Sequence, residues 1–209
     1  MTPASSVIDD AVKLLMDDGS VRWRRSDLLG WLNDGQLQIV IVRPDAKTTT
    51  GPIVLVEGPL QRIPTAGLRL MDITRNTGGR GVTMITRQQL NDLTTAWFTT
   101  ASKSVIKHYA FDERFPKQFH TFPPAAAGAS VEGRYSVTPT ACATEAANID
   151  LDDTYKTPLI DYICYRAFLR DGESPSNLNR SNAFMQAFML GLTGKLQADQ
   201  ATKPRRSPE

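Results

Sequence analysis

The chain has only two histidines, His108 and His120, and both stand where the residue pattern predicts paired strands. Residues 105–111 alternate as a half-buried strand does, with Val105, Lys107, Tyr109 and Phe111 on one face. Asp112–Pro116 reads as a turn. Residues 117–122 return, with Gln118, His120 and Phe122 against Phe119 and Thr121. A hairpin of this kind would bring the two histidines near each other, with Asp112 and Glu113 at the turn. Two imidazoles and a carboxylate are the beginning of a zinc or non-haem iron site. Such a site wants a third ligand of fixed geometry, and carboxylates on a turn are too mobile to supply it. Solvent-facing cross-strand polar residues are the simpler reading.

No other group of residues forms a site. Asp9-Asp10, Asp17-Asp18 and Asp152-Asp153 are paired acids, but adjacent positions point in different directions, so they do not form a glycosidase-like carboxylate pair. Asn76–Gly81 is glycine-rich. It lacks the lysine and hydroxyl residue of a P-loop and reads as a hairpin turn. No serine sits in G-x-S-x-G. Cys142 and Cys164 have no metal-type spacing and no histidine nearby in sequence. They read as free thiols, with Cys164 beside an apolar helix face. Tyr155, Tyr162, Tyr165 and Phe168 recur at helical spacing and read as core. The sequence therefore assigns no catalytic, cofactor-binding or metal-binding residue and no cofactor.

The elements around these residues fall into two groups. Residues 5–18 predict a helix capped by Ser5 or Ser6, with Val7, Ile8, Val12, Leu15 and Met16 as its stripe and Gly19 as its stop. Arg24–Ala46 predicts a second helix. Ser26 takes the N-cap, Asp27 favours the positive end of the dipole, and Arg43-Pro44 closes it. Leu28, Leu29, Leu32, Ile39 and Val40 form its apolar stripe. Gly35, inside this helix, costs roughly 1 kcal/mol relative to alanine, a cost tolerated where another backbone packs close. Trp23, just before the cap, is a staple or core filler.

After Lys47–Pro52, read as a turn, the pattern becomes short β-type runs at Ile53–Val56, Leu60–Ile63, Val82–Thr86 and Val131–Val137. Leu68–Ile73 is ambiguous between helix and strand. Trp97 reads as a plug over one end of the core, and Pro123–Ala129 as a loop. Thr157-Pro158 then opens a helix running to Gly172. A last helix follows Ser174, with Phe184, Met185, Phe188, Met189 and Leu192 as its stripe. This segregation predicts an α+β fold. About four helices from both chain ends (5–46 and 157–196) form a bundle, and short antiparallel strands at 50–140 form a β-rich insertion. Residues 1–196 are expected to be a single domain and 197–209 a flexible tail.

The chain is 209 residues long, 41% hydrophobic and 22% charged, a globular composition. Its net charge is +2 and its basic residues are scattered, which gives no footprint for sequence-independent DNA binding. No apolar run approaches the roughly 20 residues that span a bilayer. The N-terminal stretch has acids before its apolar residues and no basic region, so no signal peptide is expected.

Several stretches together carry a resemblance. They are WRRSDLLGWLNDGQLQIVIVRPDA at 23–46, LQRIP at 60–64 with LRLMDITRN at 68–76, HYAFDERFPKQFHTFPPA at 108–125, and TPLIDYICYRAFLRDGESP at 157–175 with AFMQAF at 183–188. In this order they resemble the head-to-tail adaptor (connector) proteins of short-tailed bacteriophages. The resemblance implies a structural virion protein of the tail or neck, assembled in the host cytoplasm and not an enzyme. It implies a homo-oligomeric ring, usually of twelve subunits, beneath the portal protein. That ring would receive the tail nozzle or tail tube and let double-stranded DNA pass through its lumen during genome ejection. No membrane contact is implied. The alternatives are a small metal-dependent enzyme using His108, His120 and Asp112, or an interaction or chaperone module outside the virion.

Overall fold

A computed structural model describes residues 1–201. Among them are five α-helices: α1 (Ala4–Leu15), α2 (Arg25–Val42), α3 (Arg87–Leu93), α4 (Lys156–Arg170) and α5 (Pro175–Ala201). There are seven strands: β1 (Thr48–Val54), β2 (Gly58–Arg62), β3 (Gly67–Asn76), β4 (Thr83–Met84), β5 (His108–Phe111), β6 (Gln118–Ala125) and β7 (Ser130–Val137). The fold is α+β, as the segregated pattern predicts. The chain divides into two compact units, one of Met1–Arg43 with Pro139–Glu209, the other of Pro44–Thr138. Residues 197–201, expected to be tail, continue α5, and the rest of that expected tail lies outside the described residues.

In the helical unit α4 is central. α2 crosses it at Gly35, where an added Cβ would stand 3.0 Å from Tyr162 Cδ1 and 3.1 Å from Leu159 Cδ2. The absence of a side chain is what lets α2 approach. α5 packs on another side of α4 through Phe188 on Tyr162, with ring centroids 5.2 Å apart, and Phe184 stacked on Phe168 at 5.8 Å. Trp23 is buried, edge-on to Phe168, and donates its indole N–H to Ala167 O at 3.2 Å. Ion pairs trim the edges: Lys156 with Asp10 at 2.7 Å, Arg170 with Asp27 at 2.6 Å, and Arg25 with both Asp9 and Glu145. Each is partly solvated and contributes little by itself.

The helix ends differ from the sequence reading. α1 starts after Pro3, and neither serine caps it. Its first free donors, Ala4 N–H and Ser5 N–H, are taken by the carbonyls of Ala147 and Glu145 at 2.8 Å. It stops at Leu15, four residues before Gly19. Met16 takes the left-handed conformation (φ 54°, ψ 42°), Met16 N–H bonds to Lys13 O, and Asp17 N–H bonds to Val12 O. This is the Schellman arrangement with methionine in the glycine position. The Asp17 carboxylate then accepts the backbone N–H groups of Val21, Arg22 and Trp23 and shapes the link into α2. Arg24, not Ser26, is the N-cap of α2. A 3-10 turn at Asp153–Tyr155, capped by the Asp152 carboxylate, leads into α4, so Thr157 lies inside the helix and does not cap it.

Residues 139–152, irregular in the sequence reading, are tied to α2. Asn33 bonds Cys142 N–H at 2.8 Å and Cys142 O at 3.1 Å, and buried Gln36 accepts Asp150 N–H at 2.7 Å.

The β unit is a small two-sheet sandwich. One sheet has the order β1-β7-β3 and is antiparallel. The other has the order β2-β6-β5-β4, with β4 parallel to β5. Ile53, Leu70, Ile73 and Val131 from the first sheet meet Tyr109, Phe119 and Ala125 from the second in one core. Tyr109 OH donates to Asp72 at 2.9 Å and ties the sheets together. Leu68–Ile73 is resolved as strand. Two proline stretches expected outside strands lie within them. Gly51-Pro52 runs inside β1, an edge strand, where a missing donor is tolerated. Pro123-Pro124 continues β6, and Pro124 serves as an acceptor from Lys103 N–H at 2.8 Å.

Candidate functional site

The β5–β6 hairpin forms as the alternation predicts, with His108 opposite Phe122, Ala110 opposite His120 and Phe111 opposite Phe119. The two histidines share a face but stand diagonally, not opposite. Each ring is turned to an aromatic neighbour. His108 stacks on Phe122 at 6.3 Å, and His120 is edge-on to Trp97 at 5.6 Å and to Phe98 at 6.1 Å. Trp97 is fully buried, stacked on Phe98 at 3.6 Å, with its indole N–H on Asn91 at 2.7 Å. It covers the outer face of the second sheet, beside the hairpin.

A cleft of about 620 Å³ opens next to it. α3 and the hairpin turn form its walls, with Arg87, Gln88 and Asn91 on one side and Phe111, Asp112, Arg114 and Phe115 on the other; His120 also lines it. α3 begins with a capping box. Thr86 Oγ1 accepts Gln89 N–H at 3.1 Å, and Gln89 Oε1 accepts Thr86 N–H at 2.9 Å. That local signature sets where α3 starts, and with it Arg87 at the cleft.

The electrostatics do not favour a cation. Asp112 is engaged by Arg114 through both carboxylate oxygens, at 3.1 and 2.8 Å. This pair holds the Asp112 carboxyl down to about 2. Burial, and then the Arg87 guanidinium, hold His120 below the ordinary histidine value, so it is neutral at pH 7. A metal here would displace Arg114 and sit beside Arg87. Among the described residues no group of three or more His, Cys, Asp and Glu side chains is arranged to hold a metal ion. The structure thus brings His120 and Asp112 to one cleft, sets His108 diagonally from His120 on the sheet, and gives the metal-enzyme reading no support. Both cysteines are free and buried, and burial pushes Cys164 up to about 12, the wrong direction for a nucleophile.

The sequence allows a helical turn at Arg87–Leu93, where α3 stands, but the reading did not connect Arg87 and Asn91 to the cleft and missed the Asn33–Gln36 clamp. The Thr86–Gln89 box was a usable signal for the first two. The clamp joins positions more than a hundred residues apart and leaves no local trace.

A family model described as SU10 adaptor protein matches residues 2–208, nearly the whole chain. The chain belongs to that family. It is a phage adaptor protein and a component of the virion. No curated protein matches the chain. For an adaptor, the folded surfaces are the working parts, and among the described residues no helix is long and apolar enough to cross a membrane.

Proposed function

We propose that this adaptor forms a ring, dodecameric, between the portal protein and the tail nozzle or tail tube, and lines the channel through which double-stranded DNA leaves the head. It acts as a structural part and carries no catalytic step. Assembly takes place in the host cytoplasm, and the ring docks on the portal at the neck of the particle. The family match along 2–208 carries this reading. The net charge of +2 agrees with it, because a strongly basic lumen would bind phosphates and hold the DNA.

Mass photometry of the full chain, alone and mixed with portal, tests the proposal. A complex of ring size, resolved as twelve copies by negative-stain averaging, is the expected result. Monomer throughout, with or without portal, overturns it.

A further inference from the structure

Charge is spread unevenly along this chain. Between Asp72 and Asp112 stand five basic residues, Arg75, Arg80, Arg87, Lys103 and Lys107, and one acid, Asp92. That stretch is net +4 where the whole chain is +2, so the remainder is net −2. Folding then sorts the five cations. Arg75 is engaged by Glu132 at 2.7 Å, and Arg87 lines the cleft beside the hairpin turn. Arg80, Lys103 and Lys107 are exposed and stand at the other end of the sandwich, where β3 ends and β5 begins. Among the described residues none of these three makes an ion pair. The acids on the loops and strand ends there are Glu57 and the engaged Glu132, so four cations stand against two carboxylates.

The cations surround a recess of fixed shape. Buried Asn76 donates to Arg80 O at 3.0 Å and to Ile106 O at 2.8 Å, and accepts Ile106 N–H at 2.8 Å. These bonds pin the Asn76–Gly81 turn to the 103–107 segment. Beside them lies a cleft of about 420 Å³ lined by Thr77, Arg80, Ser104 and Ser130, with no carboxylate on its walls. Thr77 and Ser130 share a hydroxyl–hydroxyl bond of 2.9 Å, and one of the pair keeps its hydrogen for a ligand. Gly78-Gly79 forms the tip of the turn, and a Cβ at Gly78 would meet nothing within 4 Å, so the backbone of a ligand can come close.

Hydroxyl and guanidinium donors with no carboxylate among them suit an anion, and cations spaced along an edge suit a repeating one. We propose that this end of the β unit contacts the phosphates of double-stranded DNA, with Arg80, Thr77 and Ser104 at one phosphate and Lys103 and Lys107 at its neighbours. The contact rests on the ring reading, which carries DNA past every copy. It deepens that reading, because the cations form one band while the chain outside the 73–111 stretch is net −2. DNA is touched at one level and is not held along the whole channel.

The test is fluorescence anisotropy of the full chain with a labelled DNA duplex of about 30 base pairs, titrated across salt concentration. The variant Arg80→Ala/Lys103→Ala/Lys107→Ala should lose about tenfold or more in affinity at low salt, and its log–log salt slope should be shallower than wild type by about 2.7, or about 0.9 for each single change. A matched variant elsewhere on the unit, Arg62→Ala/Lys117→Ala/Arg134→Ala, lowers net charge equally and should keep most of the slope. Melting temperatures of both should match wild type, since the six side chains are exposed. Equal losses in the two triple variants, an unchanged slope in the first, or polyglutamate binding as tightly as DNA, overturn the phosphate contact and leave the ring standing. Monomer throughout in the mass-photometry test, with the salt slope as expected, overturns the ring and not the contact.

Discussion

Replacing Gly35 by leucine puts the packing of α2 on α4 to a direct test. A Cβ alone would approach Tyr162 Cδ1 to 3.0 Å and Leu159 Cδ2 to 3.1 Å, closer than carbon atoms prefer by roughly half an ångström. For alanine the gain of about 1 kcal/mol in helix propensity roughly offsets the displacement of two side chains, and the net change should lie near zero. Leucine adds the rest of an isobutyl group to the same space. Overpacking a filled core costs about 1–3 kcal/mol. Relief is limited here, because Leu159 is fully buried and Tyr162 is backed by Phe188 at 5.2 Å. The expected loss for Gly35→Leu is therefore about 2–3 kcal/mol. Urea unfolding followed by tryptophan fluorescence measures it, since Trp23 and Trp31 report on the helical unit. With a slope near 2 kcal/mol/M, the midpoint should fall by about 1–1.5 M. Adding Leu159→Ala should recover at least about 1 kcal/mol relative to the sum of the single changes. A Gly35→Leu protein within about 0.5 kcal/mol of wild type, at unchanged slope, would refute the close-approach argument.

Met16 holds a left-handed conformation at 92% exposure, so Met16→Gly loses no packing and should stabilise the chain by about 0.5–1 kcal/mol; a lower unfolding midpoint would contradict the helix end described. Asn76 is buried and bonds Ile106 N–H and Ile106 O at 2.8 Å and Arg80 O at 3.0 Å; Asn76→Ala strands these groups and should cost about 3 kcal/mol by equilibrium unfolding. Burial pushes the Asp161 carboxyl from 3.8 up to about 6. A carboxyl raised on folding binds more protons in the native state, so it lowers stability as pH rises through that interval. Asp161→Asn should flatten the melting-temperature profile between these values, and an unchanged profile would reject the assignment. Asp10 and Asp17 act in the opposite sense. The Lys156 ammonium and the Trp23 N–H, respectively, hold them below the usual carboxylate range, so their contribution is present above pH 3.8 and is lost as pH falls below it. Stability of Asp17→Asn should therefore depend less on acid than wild type below pH 4, which acid titration by circular dichroism reads.

Features set by local periodicity were legible in the sequence. The stripe of α2, the burial of Phe188 and Leu192 and the β5–β6 hairpin follow from periods of 3.6 and 2. Gly35 was legible as a close approach because glycine inside a good helix needs a reason, although its partners, Leu159 and Tyr162, were not. The helix ends were misread because side-chain capping propensity is only one of the ways a first donor is met. Ser5, Ser6 and Thr157 are competent caps, but distant carbonyls and a preceding 3-10 turn met the free donors first, while α2 begins before Ser26, with Arg24 at its N-cap. Gly51-Pro52 and Pro123-Pro124 carry strong turn propensity, which the edge position of β1 and the switch of β6 onto Lys103 overrode. At the cleft, His120 and Asp112 were visible, but their neutralisation by Arg87 and Arg114 depends on where α3 is placed, which the hairpin pattern does not contain.

The helical unit is discontinuous in sequence, and synthesis runs in one direction. A nascent chain that has reached Thr138 contains every strand of the sandwich but only two of the four bundle helices. The carbonyls that receive Ala4 and Ser5, and the backbone that Asn33 and Gln36 clamp, have not yet been made. The sandwich can close on the ribosome while α1 and α2 wait with their apolar stripes uncovered. Translation of the last third of the chain thus sets when the bundle closes, and a truncation after residue 138 yields a protein with one finished unit and one that has no core to fold around.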